Sequence, residues 1–221
     1  MYMSKQILVI GLGQFGMSLA RTLSEKGVEV LAVDMVRELV EEASEFAANA
    51  LVVDVTDESE LARLEPGKRD AAVCAIGDDS KEASIICTVL LRQMGAPLVI
   101  ARAGDKVHQR ILRLVGAHQI INPEMEYGKR FAGRLLYSNV IADTSIGEDL
   151  QLTEIRMQPY MVGKSLVKLS LPRRFGVIVA GIRRGPHGKV LQPSPDDILQ
   201  ENDNLIIVSS EAAIPRLVQG A

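Results

Sequence analysis

Residues 7–34 read ILVIGLGQFGMSLARTLSEKGVEVLAVD. An apolar run, Ile7 to Ile10, meets Gly11, Gly13 and Gly16. An amphipathic stretch follows, then a second apolar run that ends in Asp34. The order is strand, glycine turn, helix, strand, acid. Gly11 permits a tight turn, Gly13 lets the backbone approach a phosphate, and Gly16 lets helix and strand pack closely. The start of the helix offers unpaired N–H groups and the positive end of a dipole to an anion. An acid after the second strand accepts hydrogen bonds from ribose hydroxyls. A lone GxGxxG says little. Flanked by these elements and followed by Asp34, it predicts a nucleotide site.

Outward from this unit the alternation continues. Helical patterns cover 36–47, 57–64, about 80–94 and 106–115. Strand-like runs cover 50–53, 70–76, 97–101 and 118–121. Strands separated by helices predict a doubly wound, Rossmann-like α/β sheet, parallel, with six strands. A further helix, about 124–138, follows once the sheet is complete. Phe131, Leu135, Leu136 and Val140 are assigned to one face of it, and that face needs a partner. Beyond about residue 140 strands dominate, at 150–157, 176–182, 189–192 and 204–209, with one short helix at 165–169. The expected domains are therefore 1–139 and a small α+β lobe, 140–221.

Bulk properties narrow the function. The 221 residues are 47% hydrophobic but only 4% aromatic, with no Trp. Such an aliphatic core suits a buried parallel sheet. The net charge of −3 and the lack of a basic run argue against nucleic acid as a partner. Cys74 and Cys87 form no CxxC pair and read as buried thiols. The N-terminus runs straight into a strand, and no apolar stretch reaches a membrane-span length. The chain is read as cytoplasmic, with any membrane role arising through a partner.

Ligands of open α/β sheets lie beyond the carboxyl ends of the strands. Asp34, Asp54, the Ile76-Gly77-Asp78-Asp79 run, Arg102 and Glu124 fall there. Asp54 is expected near an adenine or in a turn. Asp57 and Asp79 read as helix caps. Arg102 is expected to meet a phosphate or pair with an acid. His108, His118 and His187 join no nucleophile or metal cluster, so each reads as structural or solvated. The chain is equipped to hold a nucleotide and carries no acid/base pair to use one. A small NAD-dependent oxidoreductase stays open as the alternative, although the second lobe offers no acid/base group for it.

GLGQFG with Asp34, DVTDESEL at 54–61, AIGDD at 75–79, ARAGD at 101–105 and VGAHQIINPE at 115–124 together resemble the RCK (KTN) family. The likeness is to KtrA/TrkA-type regulatory subunits of bacterial potassium uptake systems. VGKSLVKLSLPRRFGVIVAGIRR and PSPDDILQENDNLIIV resemble its RCK-C (TrkA-C) lobe. The resemblance implies a regulator that gates a membrane potassium transporter or channel subunit. RCK regulators of other cation or efflux transporters are the nearest alternative. It implies dimers through a crossover helix, here about 124–138, assembled into an octameric ring at the inner face of the membrane. It implies ATP/ADP or NAD(H) held by Gly11, Gly13, Gln14, Phe15, Gly16, Asp34, Met35, Asp54, Val55, Thr56, Ile76, Gly77, Asp78 and Arg102. Glu124 matches a carboxylate that binds a divalent cation, Mg or Ca, between subunits in some relatives. Ile178, His187 and Pro193 fall where some relatives bind cyclic di-AMP. Pro172 stands there in place of a common Arg, and core packing is the other reading of Ile178. Gln14 stands where many relatives carry an Arg that reaches the terminal phosphate of ATP. Glutamine brings no charge to that task. Asp34 opposes a 2′-phosphate, which disfavours NADP.

Overall fold

The computed structural model describes residues 4–147, 149–185 and 188–220. They divide into two compact units, which part after Met125. The division falls inside the helix that follows the sixth strand, earlier than the expected change of composition near 140.

The first unit alternates without interruption: β1 (Gln6–Ile10), α1 (Gln14–Glu25), β2 (Glu29–Asp34), α2 (Arg37–Ser44), β3 (Asn49–Val52), α3 (Glu58–Ala62), β4 (Ala71–Cys74), α4 (Lys81–Gln93), β5 (Val99–Arg102), α5 (Lys106–Leu114) and β6 (Gln119–Ile121). The sheet order is β3-β2-β1-β4-β5-β6, and all five pairings are parallel. This is the expected doubly wound sheet. Its winding reverses between β1 and β4, the place where such sheets bind ligands.

Continuous apolar strands follow from burial on both faces. Leu8 and Ile10 of β1 enter one core with Leu61, Cys87, Leu91 and Leu112. Val9, between them, enters the opposite core with Met17, Ala20, Val30 and Val40. Successive side chains of a strand point to opposite faces, so one run feeds both cores. Each fully buried Leu or Ile contributes about 1.5–3 kcal/mol by leaving water. Cys74 and Cys87 are fully buried, as expected. Asp57 caps α3 by accepting the Ser59 and Glu60 amides at 2.8 and 3.1 Å. Asp79 caps no helix, contrary to expectation. It lies in a single 3-10 turn, Asp78–Ser80, and α4 starts after Ser80 without a side-chain cap.

The helix α6 (Pro123–Leu136) has no buried residue. Tyr127, Phe131, Leu135 and Leu136 are all exposed, and the Tyr127 and Phe131 rings stack at 6.0 Å. Val140, assigned to that face from sequence, instead opens a strand.

The second unit is an antiparallel sheet, β10-β9-β11-β8-β7. Its strands are β7 (Val140–Ser145), β8 (Gln151–Arg156), β9 (Ile178–Arg183), β10 (Val190–Leu191) and β11 (Asn204–Ser209). Three short helices accompany them: α7 (Leu166–Leu169), α8 (Leu171–Phe175) and α9 (Ala213–Gln219). The core collects Ile155, Phe175, Ile182, Leu205, Ile207, Ile214 and Leu217. The strand β7 and the helices α8 and α9 are additions to the sequence reading. β7 is an edge strand whose polar second half hides its alternation. In α9, Pro215 sits in the first turn, where its missing N–H costs no hydrogen bond.

Candidate nucleotide site at the switch point

The three glycines of the turn meet different constraints. Gly11 has φ +88°, and a Cβ there would lie 2.9 Å from the Ile76 amide nitrogen. A Cβ on Gly16 would lie 1.8 Å from the Gly11 carbonyl oxygen and 3.3 Å from the Ala75 Cβ. Both positions are closed to side chains by the fold itself. Gly13 is different: a Cβ there would meet nothing within 4 Å. It is the N-cap of α1, and no side chain caps that helix. The first amides of a helix have no partners within it. Gly13 and Gln14 are exposed, and Phe15 is half-buried. An uncapped, glycine-bared helix start thus faces solvent at the switch point.

Asp34, at the end of β2, shapes this turn. Its Oδ2 accepts the Leu12 amide at 2.6 Å, and its Oδ1 accepts the Val36 amide at 2.9 Å. A carboxylate has about four acceptor positions. Two therefore remain for hydroxyl groups. Met35, just beyond, is 69% exposed. Asp54 follows β3 and is turned inward on its own loop. Its Oδ1 accepts both the Thr56 amide, at 2.9 Å, and the Thr56 hydroxyl, at 2.7 Å. The Thr56 hydroxyl, then its amide, hold the Asp54 carboxyl below the ordinary carboxylate range. Val55 is buried and packs in the core, so its side chain is unavailable to a ligand. Thr56 itself is exposed.

Across the switch point, the end of β4 abuts the glycine turn. The Gly11 amide donates to the Val33 carbonyl, and the Ala75 amide to the Ile10 carbonyl. Ile76 and Gly77 are half-buried. The Arg102 guanidinium, from the end of β5, lies over Gly77: Nη1 would be 3.6 Å from a Cβ there. Its Nη2 pairs with the carboxylate of Glu124, in the first turn of α6. Of the two outcomes expected for Arg102, the structure contains the acid pairing. Asp78 accepts the Gly104 amide at 3.1 Å. A Cβ on Gly104 would fall 1.8 Å from Asp78 Oδ2, so that contact needs glycine.

Several positioning residues escaped the sequence reading. Asn122 is buried; its Nδ2 donates to the Gly104 carbonyl and its Oδ1 accepts the Met125 amide, each at 2.8 Å. It ties the loop after β5 to the start of α6. An Asn directly before Pro is the signal that marks it. Asp105 caps α5 through the Val107 and His108 amides and pairs with Lys81 at 2.6 Å. Lys81, with the His108 amide next, pushes the Asp105 carboxyl down to about 2. His108 is 2% exposed, its ring nitrogens have no hydrogen-bond partner, and burial lowers its pKa. His118 accepts the Val99 amide at 2.8 Å, a structural role.

The cation expected at Glu124 lies between subunits, so its other ligands would come from a second copy of the chain. Glu124 already holds a guanidinium, and among the described residues no group of three or more His, Cys, Asp or Glu converges. A hard cation needs several oxygen ligands. In the second unit, Ile178 is 61% exposed, which corrects its reading as core. Pro172 lies in the first turn of α8. Pro193 is half-buried. His187 lies outside the described residues.

The TrkA-N domain family matches residues 7–123, and the TrkA-C domain family matches residues 152–219. The chain belongs to the TrkA-N/TrkA-C (RCK) family. This RCK chain is 33% identical to the Ktr system potassium uptake protein C of Bacillus subtilis (strain 168), over 97% of its own length and 96% of the relative's. It is 35% identical to the Ktr system potassium uptake protein A of Vibrio alginolyticus, over 94% and 93% respectively. Among solved structures it resembles the GsuK RCK domain, with TM-score 0.65 and 19% identity over 99% of this chain. It also resembles the GsuK channel bound to NAD, with TM-score 0.65 and 21% identity over 98% of this chain. The RCK chain spans 48% and 40% of those two GsuK chains. At that identity the likeness establishes the fold. No helix among the described residues is long and apolar enough to cross a membrane.

Proposed function

We propose that this chain is a nucleotide-sensing regulatory subunit of a potassium transporter or channel. One observation carries the nucleotide part. Gly13 lacks a side chain where the fold leaves room for one, at an uncapped helix start beside the switch point. A bound phosphate explains that glycine, and packing within the chain does not. Membership of the family, with potassium uptake proteins as full-length relatives, supports the transport part.

In this reading the nucleotide is ATP/ADP or NAD(H). Its phosphates meet the amides of Gly13, Gln14, Phe15 and Gly16. Asp34 takes the ribose hydroxyls with its two remaining acceptor positions. Met35, Asp54 and Thr56 border the adenine, with the Val55 backbone alone contributing. Ile76, Gly77, Asp78 and Arg102 form the opposite wall. The nucleotide is read and released unchanged. The chain works in the cytoplasm as a homodimer joined through α6, within an octameric ring on its membrane partner. The exposed apolar face of α6 supports that pairing. Binding shifts the ring between conformations by the difference in its affinity for each.

Mass spectrometry of ligand released from the purified chain tests the nucleotide part. An intact adenine nucleotide is expected, carried by the native chain and lost from Asp34→Arg. Equal retention by both chains contradicts the site.

A further inference from the structure

We propose that His108 is a positioning residue of the nucleotide site, which couples nucleotide affinity to protonation by acting through Asp78. Protonated, its ring pairs with the Asp78 carboxylate and offsets that charge at the rim where the phosphates lie. Neutral, it leaves the full negative charge facing them. The inference rests on the nucleotide reading above and adds a proton to what the site reads.

His108 sits in the first turn of α5 and is 2% exposed. Neither ring nitrogen has a hydrogen-bond partner among the described residues. Most buried polar side chains are paired, so an unpaired ring needs a reason. Leu112, one turn further along the same helix, shows what packing alone selects: an aliphatic side chain that joins the core. A ring that takes up a proton near neutral pH supplies a different reason.

Its neighbour is Asp78, whose Oδ1 lies 4.0 Å from Nδ1 of the ring. That spacing is beyond a hydrogen bond and close enough for a charge pair. Asp78 is fixed in place. Its Oδ1 accepts the Gly104 amide at 3.1 Å, and its Oδ2 fills the space that a Cβ on Gly104 would take. The Asp78 side chain is 53% exposed. One carboxylate thus joins a buried ring to the open rim of the site.

The charged groups acting on the ring are Asp105, at the cap of its own helix, Asp78, in the turn before α4, and Lys81, at the start of α4. Asp105 is already committed to Lys81, at 2.6 Å, and to the Val107 and His108 amides. Those two opposite charges largely offset each other, which leaves Asp78 as the charge that protonation of the ring changes. Burial holds the ring below its ordinary pKa of 6.5, so it is uncharged under neutral conditions. A positive charge added beside an anionic ligand favours binding, and the bound ligand favours the charged ring. Binding therefore tightens as pH falls below neutrality, and the chain takes up a proton as the nucleotide binds.

Calorimetric titration of NAD and of ADP into the full chain and into His108→Gln, from about pH 7.5 to about pH 5.5, tests the coupling, since glutamine does not titrate. The native chain is expected to gain about three- to fivefold more affinity over that range than the variant, the value of a partly exposed charge pair. Titrations at about pH 6 in two buffers of different ionisation enthalpy are expected to show proton uptake by the native chain beyond that of the variant. Asp78→Asn, which leaves the ring in place, is expected to lose the same response, and it carries the test alone if a buried glutamine prevents folding. Identical pH profiles and proton uptake in the native chain and His108→Gln, or an undiminished response in Asp78→Asn, overturn the coupling and leave the nucleotide reading standing. No binding of ADP, ATP, NAD or NADH by the native chain overturns both.

Discussion

Gly13 and Gly16 lie three residues apart, and alanine at each would have opposite consequences. At Gly16 a Cβ collides with the Gly11 carbonyl at 1.8 Å, where backbone must move. Gly16→Ala is expected to destabilise the chain by about 1–3 kcal/mol or prevent folding, as overpacked sites do. At Gly13 the space is open and φ is −62°, comfortable for alanine. Gly13→Ala is expected to keep the unfolding free energy within about 1 kcal/mol while weakening adenine nucleotides at least about tenfold. Denaturant unfolding beside nucleotide titration separates the two. Asp105 offers a test of a different kind. Its folded pKa, about 2, lies below the ordinary 3.8. A depressed carboxylate contributes stability above its unfolded value and loses it as pH falls through the folded one. The stability advantage of the native chain over Asp105→Asn is expected to be full above about pH 4 and to fade toward pH 2. A gap that stays constant over that range contradicts the assigned Lys81 pairing.

Among the elements, those built on strong periodicity or a defined glycine turn were legible in the sequence. β1, α1 and β2 follow directly from residues 7–34, and the six parallel strands from the alternation that follows. Residues whose roles depend on distant partners were not. Asp54 reads equally as ligand or turn former, and only the Thr56 contacts show it engaged locally. Val55 is invisible as core because its burial depends on the wider cluster it joins, which includes Leu8, Ile10 and Leu91. The edge strand β7 was missed because one face carries little apolar signal. Ile178 looked like core because it is β-branched and apolar, yet it projects to solvent. The helix α6 shows the converse: its apolar face was legible, and the chain alone leaves it uncovered. If that face joins two copies, Phe131→Glu with Leu135→Glu is expected to turn a dimer or larger assembly into monomers with unchanged helix content. Sedimentation and circular dichroism check both parts. An assembly of unaltered size removes α6 from the interface.

For the molecule as a whole, the parts are a nucleotide fold, a second lobe with its own core, and a helix with an uncovered apolar face passing from one to the other. A sensor needs only a ligand whose affinity differs between conformations. In the proposed function an adenine nucleotide lodges at the amino end of α1 and acts there as a signal. Calorimetric titration of ATP, ADP, NAD and NADH into the native chain and into Asp34→Arg is the test. Saturable binding of at least one of them to the native chain, recovery of that nucleotide unaltered, and its loss in the variant are expected. Absence of binding by all four, or equal binding by the variant, contradicts it.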